Sequence, residues 1–98
     1  WRVPIRDFAD RTIETFFRTG RVAKGTAWTA VKRIAMRKLD MLDYAELLTD
    51  LASPSGNRLE ALKGDLRGLH RIRINDQWRV VFRWTKTGPR EVDIRDYH

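Results

Sequence analysis

Ninety-eight residues, with 42% hydrophobic and 34% charged side chains, fit one globular domain, 1–98, built on one core. The chain has no cysteine, which excludes disulfides and thiolate metal sites, and no apolar run approaches the roughly 20 residues of a membrane helix. Twenty Lys and Arg against 13 Asp and Glu leave a net charge of +7, which favours a polyanionic partner over a neutral one. That partner is nucleic acid, the ribosome or an acidic protein; a solvated basic surface is the plain alternative. A chain without cysteine and without a signal-peptide pattern suits the cytoplasm. It opens on Trp1 rather than Met, which leaves the native start open.

Val3 to Phe8 reads as a short strand or an extended lead-in. Asp7 or Asp10 is placed to cap a first helix running to about Arg18, with Ala9, Ile13, Phe16 and Phe17 on one face and Gly20 as its stop. Thr26 is expected to cap a second helix. Its apolar stripe is Trp28, Val31, Ala35, Leu39 and Leu42, and its outer face is basic through Lys32, Arg33, Arg37 and Lys38. A helical turn through Tyr44, Leu47, Leu48 and Leu51 follows, and Ser53-Pro54-Ser55-Gly56-Asn57 ends helical structure. Beyond Asn57 the apolar period changes from about 3.6 to 2. Leu59 to Leu62, His70 to Ile74, Gln77 to Trp84 and Glu91 to Ile94 read as strands, with turns at Lys63-Gly64-Asp65, Asn75-Asp76 and Lys86 to Pro89. The expected fold class is α+β: N-terminal helices packed on one face of an antiparallel sheet.

The strands separate two faces by parity. Ile72, Ile74, Trp78, Val80, Phe82, Trp84, Val92 and Ile94 are even-numbered and should bury against the helices. Arg71, Arg73, Arg79, Arg83, Asp93 and Arg95 occupy odd positions. A solvated sheet face normally mixes charge signs, and like charges across strands repel. Arg71, Arg73, Arg79 and Arg83 on one face therefore point to phosphate or RNA binding, which suits the planar guanidinium fork.

Only His70 and His98 are available as imidazoles, without paired carboxylates beside them, so neither a metal site nor a cofactor is expected. There is no phosphate-binding glycine loop. The C-terminal Asp96-Tyr97-His98 puts an acid, a phenol and an imidazole at the end of the arginine-bearing sheet. RNA cleavage through the 2′-hydroxyl needs a base, a cation for the crowded phosphate and an acid for the leaving oxygen. Those side-chain types supply all three without a metal.

Taken together, Phe16-Phe17-Arg18-Thr19-Gly20, Leu59-Glu60-Ala61-Leu62-Lys63-Gly64-Asp65, Arg73-Ile74-Asn75-Asp76-Gln77-Trp78-Arg79, Phe82-Arg83-Trp84 and Asp96-Tyr97-His98 resemble the HigB-type toxins of the RelE superfamily. The resemblance covers nearly the whole chain. It implies a RelE-like fold, ribosome-dependent cleavage of mRNA in the decoding site of the 70S ribosome, and neutralisation by a HigA-type helix-turn-helix antitoxin. It matches functional positions to Lys63, Arg79, Asp96, Tyr97 and His98. Some relatives have His where Glu60 stands and Asn where Gln77 stands. Glu60 is thus a candidate base, or a strand residue paired with Lys63 or an arginine. DNA contact is expected only through the antitoxin, since no recognition helix is evident. The competing reading is a non-catalytic RNA- or ribosome-binding module, which leaves the C-terminal triplet without a role.

Overall fold

The computed structural model describes residues 4–96. Two helices, α1 (Arg11–Thr19) and α2 (Lys32–Tyr44), precede four strands: β1 (Glu60–Ala61), β2 (Leu69–Arg73), β3 (Trp78–Thr85) and β4 (Gly88–Asp96). The strands form an antiparallel meander in the order β1-β2-β3-β4. The expected α+β architecture is the one observed.

Local chemistry sets the ends of α1. The Asp10 carboxylate accepts the Ile13 amide at its N-terminus, and Gly20 closes it at φ 77°, a left-handed conformation that costs glycine nothing. The segment before α1 is not a strand. It is an extended lead-in whose Arg6 and Ala9 amides donate to the Pro89 and Val92 carbonyls, covering the outer edge of β4. Asp7 fastens it there, accepting the Glu91 amide at 2.6 Å and Arg90 Nη1 at 2.8 Å.

Those two donors, the amide first, hold the Asp7 carboxyl below its ordinary value against a smaller opposing effect of burial. A depressed carboxylate stabilises the fold above its unfolded pKa, and that contribution fades as pH falls through the folded value. Asp7→Asn should therefore lower the melting temperature at pH 7 and narrow its gap to wild type as the pH drops below 3.8. A gap that stays constant down to pH 2, measured by thermal melts, would contradict this.

Thr26 does not cap α2. Its hydroxyl bonds back to the Ala23 carbonyl, and a 3-10 turn over Thr29–Val31 intervenes before the helix starts at Lys32. Lys38 leaves the expected basic outer face. Its Nζ donates at 2.6 Å to Oδ1 of Asn57, a fully buried amide whose Nδ2 donates to the Leu51 and Ser53 carbonyls. Burial, then the charges of Arg37 and Arg73, push the Lys38 ammonium down. Lys32, Arg33 and Arg37 remain exposed.

The core lies between the helices and the even-numbered side of the sheet. Ile13, Phe16, Trp28, Ala35, Leu39 and Leu42 meet Ile72, Ile74, Val80, Phe82, Val92 and Ile94, with Trp78 and Trp84 packed at the margin. Phe16 and Trp28 contact edge to face at 4.8 Å between ring centroids. Opposite Phe82, β4 carries one extra residue, Glu91, at φ 55°. This bulge shifts the parity of β4, so Arg90 pairs with Arg83 while Asp93 and Arg95 pair with Val81 and Arg79.

Candidate nucleic-acid interface and cleft

Strand register arranges the odd-numbered face in rows. Arg73 is opposite Arg79, and Arg79 is opposite Arg95, so three arginines cross β2, β3 and β4 side by side. The next row holds Glu60, Arg71, Val81 and Asp93. Directly opposed like charges destabilise a sheet. Each guanidinium here is tethered. Arg73 bonds Asp76 in the β2–β3 turn, Arg95 Nε donates to Asp93 at 2.9 Å, and Arg79 Nη1 donates to the carbonyls of Asn75 and Trp78. The tethers hold three cationic forks on a surface that mutual repulsion would otherwise spread.

The parity reading holds where register tests it: Arg79 and Trp78 lie on opposite faces, and Arg71, Arg73, Arg79 and Arg83 share one. They do not all gather at one point. Arg71 and Arg79, with Arg95, line a cleft of about 140 Å3, and Asp96 at the end of β4 stands at its rim. Arg83 lies beyond it, beside the bulge, with Nε 2.6 Å from the Glu91 carboxylate. Gly68, at φ 96°, faces the Arg83 guanidinium at a point where any side chain would collide with it.

Glu60 takes the second of its two expected places. As the register neighbour of Arg71, it accepts from Nη2 at 2.6 Å and from Nε at 3.1 Å. With two of its N–H groups on the same carboxylate oxygen, Oε2, this pair orients Arg71 at the cleft. Lys63 is exposed in the β1–β2 connection, immediately before the 3-10 turn Gly64–Leu66 and next to Leu62, which lines the cleft. Asp96 Oδ2 accepts from Gln77 Nε2 at 3.0 Å. Tyr97 and His98 lie outside the described residues.

Sequence reasoning missed the floor of the cleft. Val81 is odd-numbered and faces away from the helices, yet it is only 4% exposed, because the β1–β2 connection folds Leu62 and Leu66 over that side. The one signal was an apolar residue at an odd position among arginines. Arg95 was on the right face but carried no assignment. His70 stands apart from the cleft. It is the register partner of Phe82, stacks on that ring at 6.1 Å and points Nδ1 into a buried spot without a hydrogen-bond partner. Burial pushes its pKa down, which favours the neutral imidazole. Among the described residues no three His, Asp or Glu side chains converge as metal ligands would.

A small α+β domain with an arginine-lined cleft on the helix-free side of its sheet has the architecture of the RelE-like toxins. The YoeB/ParE toxin from Agrobacterium tumefaciens superposes with a TM-score of 0.53 over 97% of this chain and 99% of that one, at 20% identity, which establishes likeness of fold. Toxin HigB-1 of Vibrio cholerae serotype O1 is 36% identical over 78 residues, 80% of this chain and 81% of that protein. An uncharacterized protein of Haemophilus influenzae is 36% identical over 52 residues, 53% of this chain and 52% of its own length. Residues 6–98 match the family described as RelE-like toxin of type II toxin-antitoxin system HigB, and the chain belongs to that family. Membership implies an antitoxin as its partner. No helix among the described residues is long and apolar enough to cross a membrane.

Proposed function

We propose that this toxin is a ribosome-dependent mRNA endoribonuclease that works without a metal in the cytoplasm and is neutralised by a HigA-type helix-turn-helix antitoxin. The observation that carries the reading is the Arg73-Arg79-Arg95 row beside a cleft with Asp96 at its rim. In this reading Arg79, assisted by Arg73 or Arg71, holds the scissile phosphate of an mRNA in the ribosomal A site. Lys63 stabilises its growing negative charge. Asp96 or His98 takes the 2′-hydroxyl proton, and His98 protonates the 5′-oxygen as it leaves. Tyr97 stacks on a base or orients the strand. Glu60 serves through Arg71. The products carry a 2′,3′-cyclic phosphate and a 5′-hydroxyl, and the ribosome supplies much of the alignment.

The test is primer extension on mRNA from a translating extract, with and without ribosomes. Cuts within codons that appear only on ribosomes, and vanish when the antitoxin is added, are expected. Ribosome binding with intact messages would sink the enzymatic reading and favour a binding module.

Binding has its own prediction. Phosphate contacts release counterions, so the logarithm of ribosome affinity should fall linearly with log salt concentration. Arg73→Ala should reduce that slope by about one. Arg83→Ala should flatten it likewise, since Arg73 and Arg83 are each paired with one carboxylate, Asp76 and Glu91. Affinity measured from 50 to 200 mM salt decides this, and a flat profile for wild type would refute an electrostatic interface.

A further inference from the structure

We infer that the cleft on the arginine face is a seat for one unstacked nucleobase. Leu62, Leu66 and Val81 form its apolar wall, and Arg95 is a third phosphate-holding arginine at its rim. The inference rests on the RNA-cleaving reading and adds to it the part of the substrate that the cleft holds. A site for phosphate alone needs donors and water, not aliphatic side chains. Here a buried valine floors the cleft from a strand position that faces away from the core, and Leu66, 42% exposed, stands at its edge. A large apolar side chain left open to water beside several guanidinium groups fits a ligand with one apolar and one anionic part. A nucleotide is such a ligand. The flat face of a base packs on aliphatic groups and on guanidinium planes, and its phosphate takes the forked donors. A cavity of about 140 Å3 suits a single planar ring system better than a stacked strand. The base must therefore be splayed out, which is the usual state of bases that proteins read in single-stranded RNA.

Arg95 belongs to this seat by register and by tether. It is the cross-strand neighbour of Arg79, and the bond from its Nε to Asp93 fixes the stem of the fork beside the cleft. Asp93 is accordingly a positioning residue.

Titration of the full chain with adenosine 3′-monophosphate and, separately, with ribose 5-phosphate tests the seat, read by the methyl resonances of Leu62, Leu66 and Val81. The nucleotide should move those methyls and bind about tenfold or more tighter than the sugar phosphate. Leu66→Ala, at an exposed position where folding should survive, should bring nucleotide affinity down to that of the sugar phosphate and leave the latter unchanged. Arg95→Ala should weaken both ligands. Equal affinities in wild type, or silent methyls on nucleotide binding, would overturn the base seat; an Arg95→Ala variant that binds both as wild type does would overturn the third arginine. If the seat fails while ribosome-bound messages are still cut, RNA cleavage stands without it. If the seat fills and no message is cut, the cleavage reading falls and the seat remains.

Discussion

Phe82→Ala is expected to lower the free energy of unfolding by about 3–5 kcal/mol, the usual loss when a buried phenylalanine is truncated. Phe82 is fully buried at the centre of β3, where it stacks on His70 and faces the bulge of β4. Its removal leaves a cavity that the flanking sheet cannot close, because β2 and β4 are hydrogen-bonded to β3 on both sides. Small domains have only about 5–15 kcal/mol in total, so much of the protein should unfold near physiological temperature. Arg79→Ala, three residues away on the other face, should change stability by far less. Urea denaturation of both variants separates the two faces: Phe82→Ala shifts the midpoint with an unchanged slope, and a midpoint close to wild type would remove Phe82 from the core.

The sheet was legible because alternation is a local property. Ile72, Ile74, Val80 and Phe82 read as core and are buried, Trp78 reads as core and is only partly buried at its margin, and the arginines fall on the other side as their parity requires. What alternation does not encode is a second layer. The rule that one face of an antiparallel sheet meets water put Val81 in solvent, whereas a connection some 15 residues earlier in sequence covers it. For the same reason the strand expected over Leu59 to Leu62 is only Glu60–Ala61. Leu59 and Leu62 are apolar because of what they pack against, not because they belong to a longer ladder. Helical periodicity placed Lys38 on an outer face, and only the return of Asn57 beneath it, held by carbonyls of its own loop, explains why an ammonium turns inward. Residue type alone makes Thr26 a helix cap, but its hydroxyl satisfies a nearer acceptor, the Ala23 carbonyl. At the cleft, Arg71 and Arg79 were found by parity. Lys63 and the C-terminal triplet were singled out by the chemistry of cleavage and by family resemblance, and no spacing rule would have joined them to the arginines.

His98→Gln is expected to slow cleavage of mRNA on translating ribosomes by roughly 10²–10⁴-fold, the span of a positioned general acid or base. Glutamine keeps the polarity and approximate reach of histidine but cannot carry a proton through the pH range near neutrality, so the substitution isolates proton transfer from contact. A departing 5′-alkoxide is strongly basic and needs a proton as the bond to phosphorus breaks. An imidazolium suits that task because its ordinary pKa lies near working pH. Carboxylates such as that of Asp96 favour the charged imidazole when they lie close to it. Arg79→Ala provides the contrast. It removes a charge from the phosphate without removing a titrating group, so it should depress the rate while preserving the shape of the pH profile. His98→Gln should instead flatten the limb that falls at high pH, where the acid loses its proton. Melting temperature and antitoxin binding should be nearly unchanged in both variants: the Arg79 side chain lies outside the packed core, and His98→Gln keeps a polar side chain of similar reach. Primer extension across a pH series, with ribosomes held in excess, measures all of this. A His98→Gln protein that cuts at the wild-type rate would show that His98 is not the acid, and the proton would then have to come from Tyr97 or Lys63.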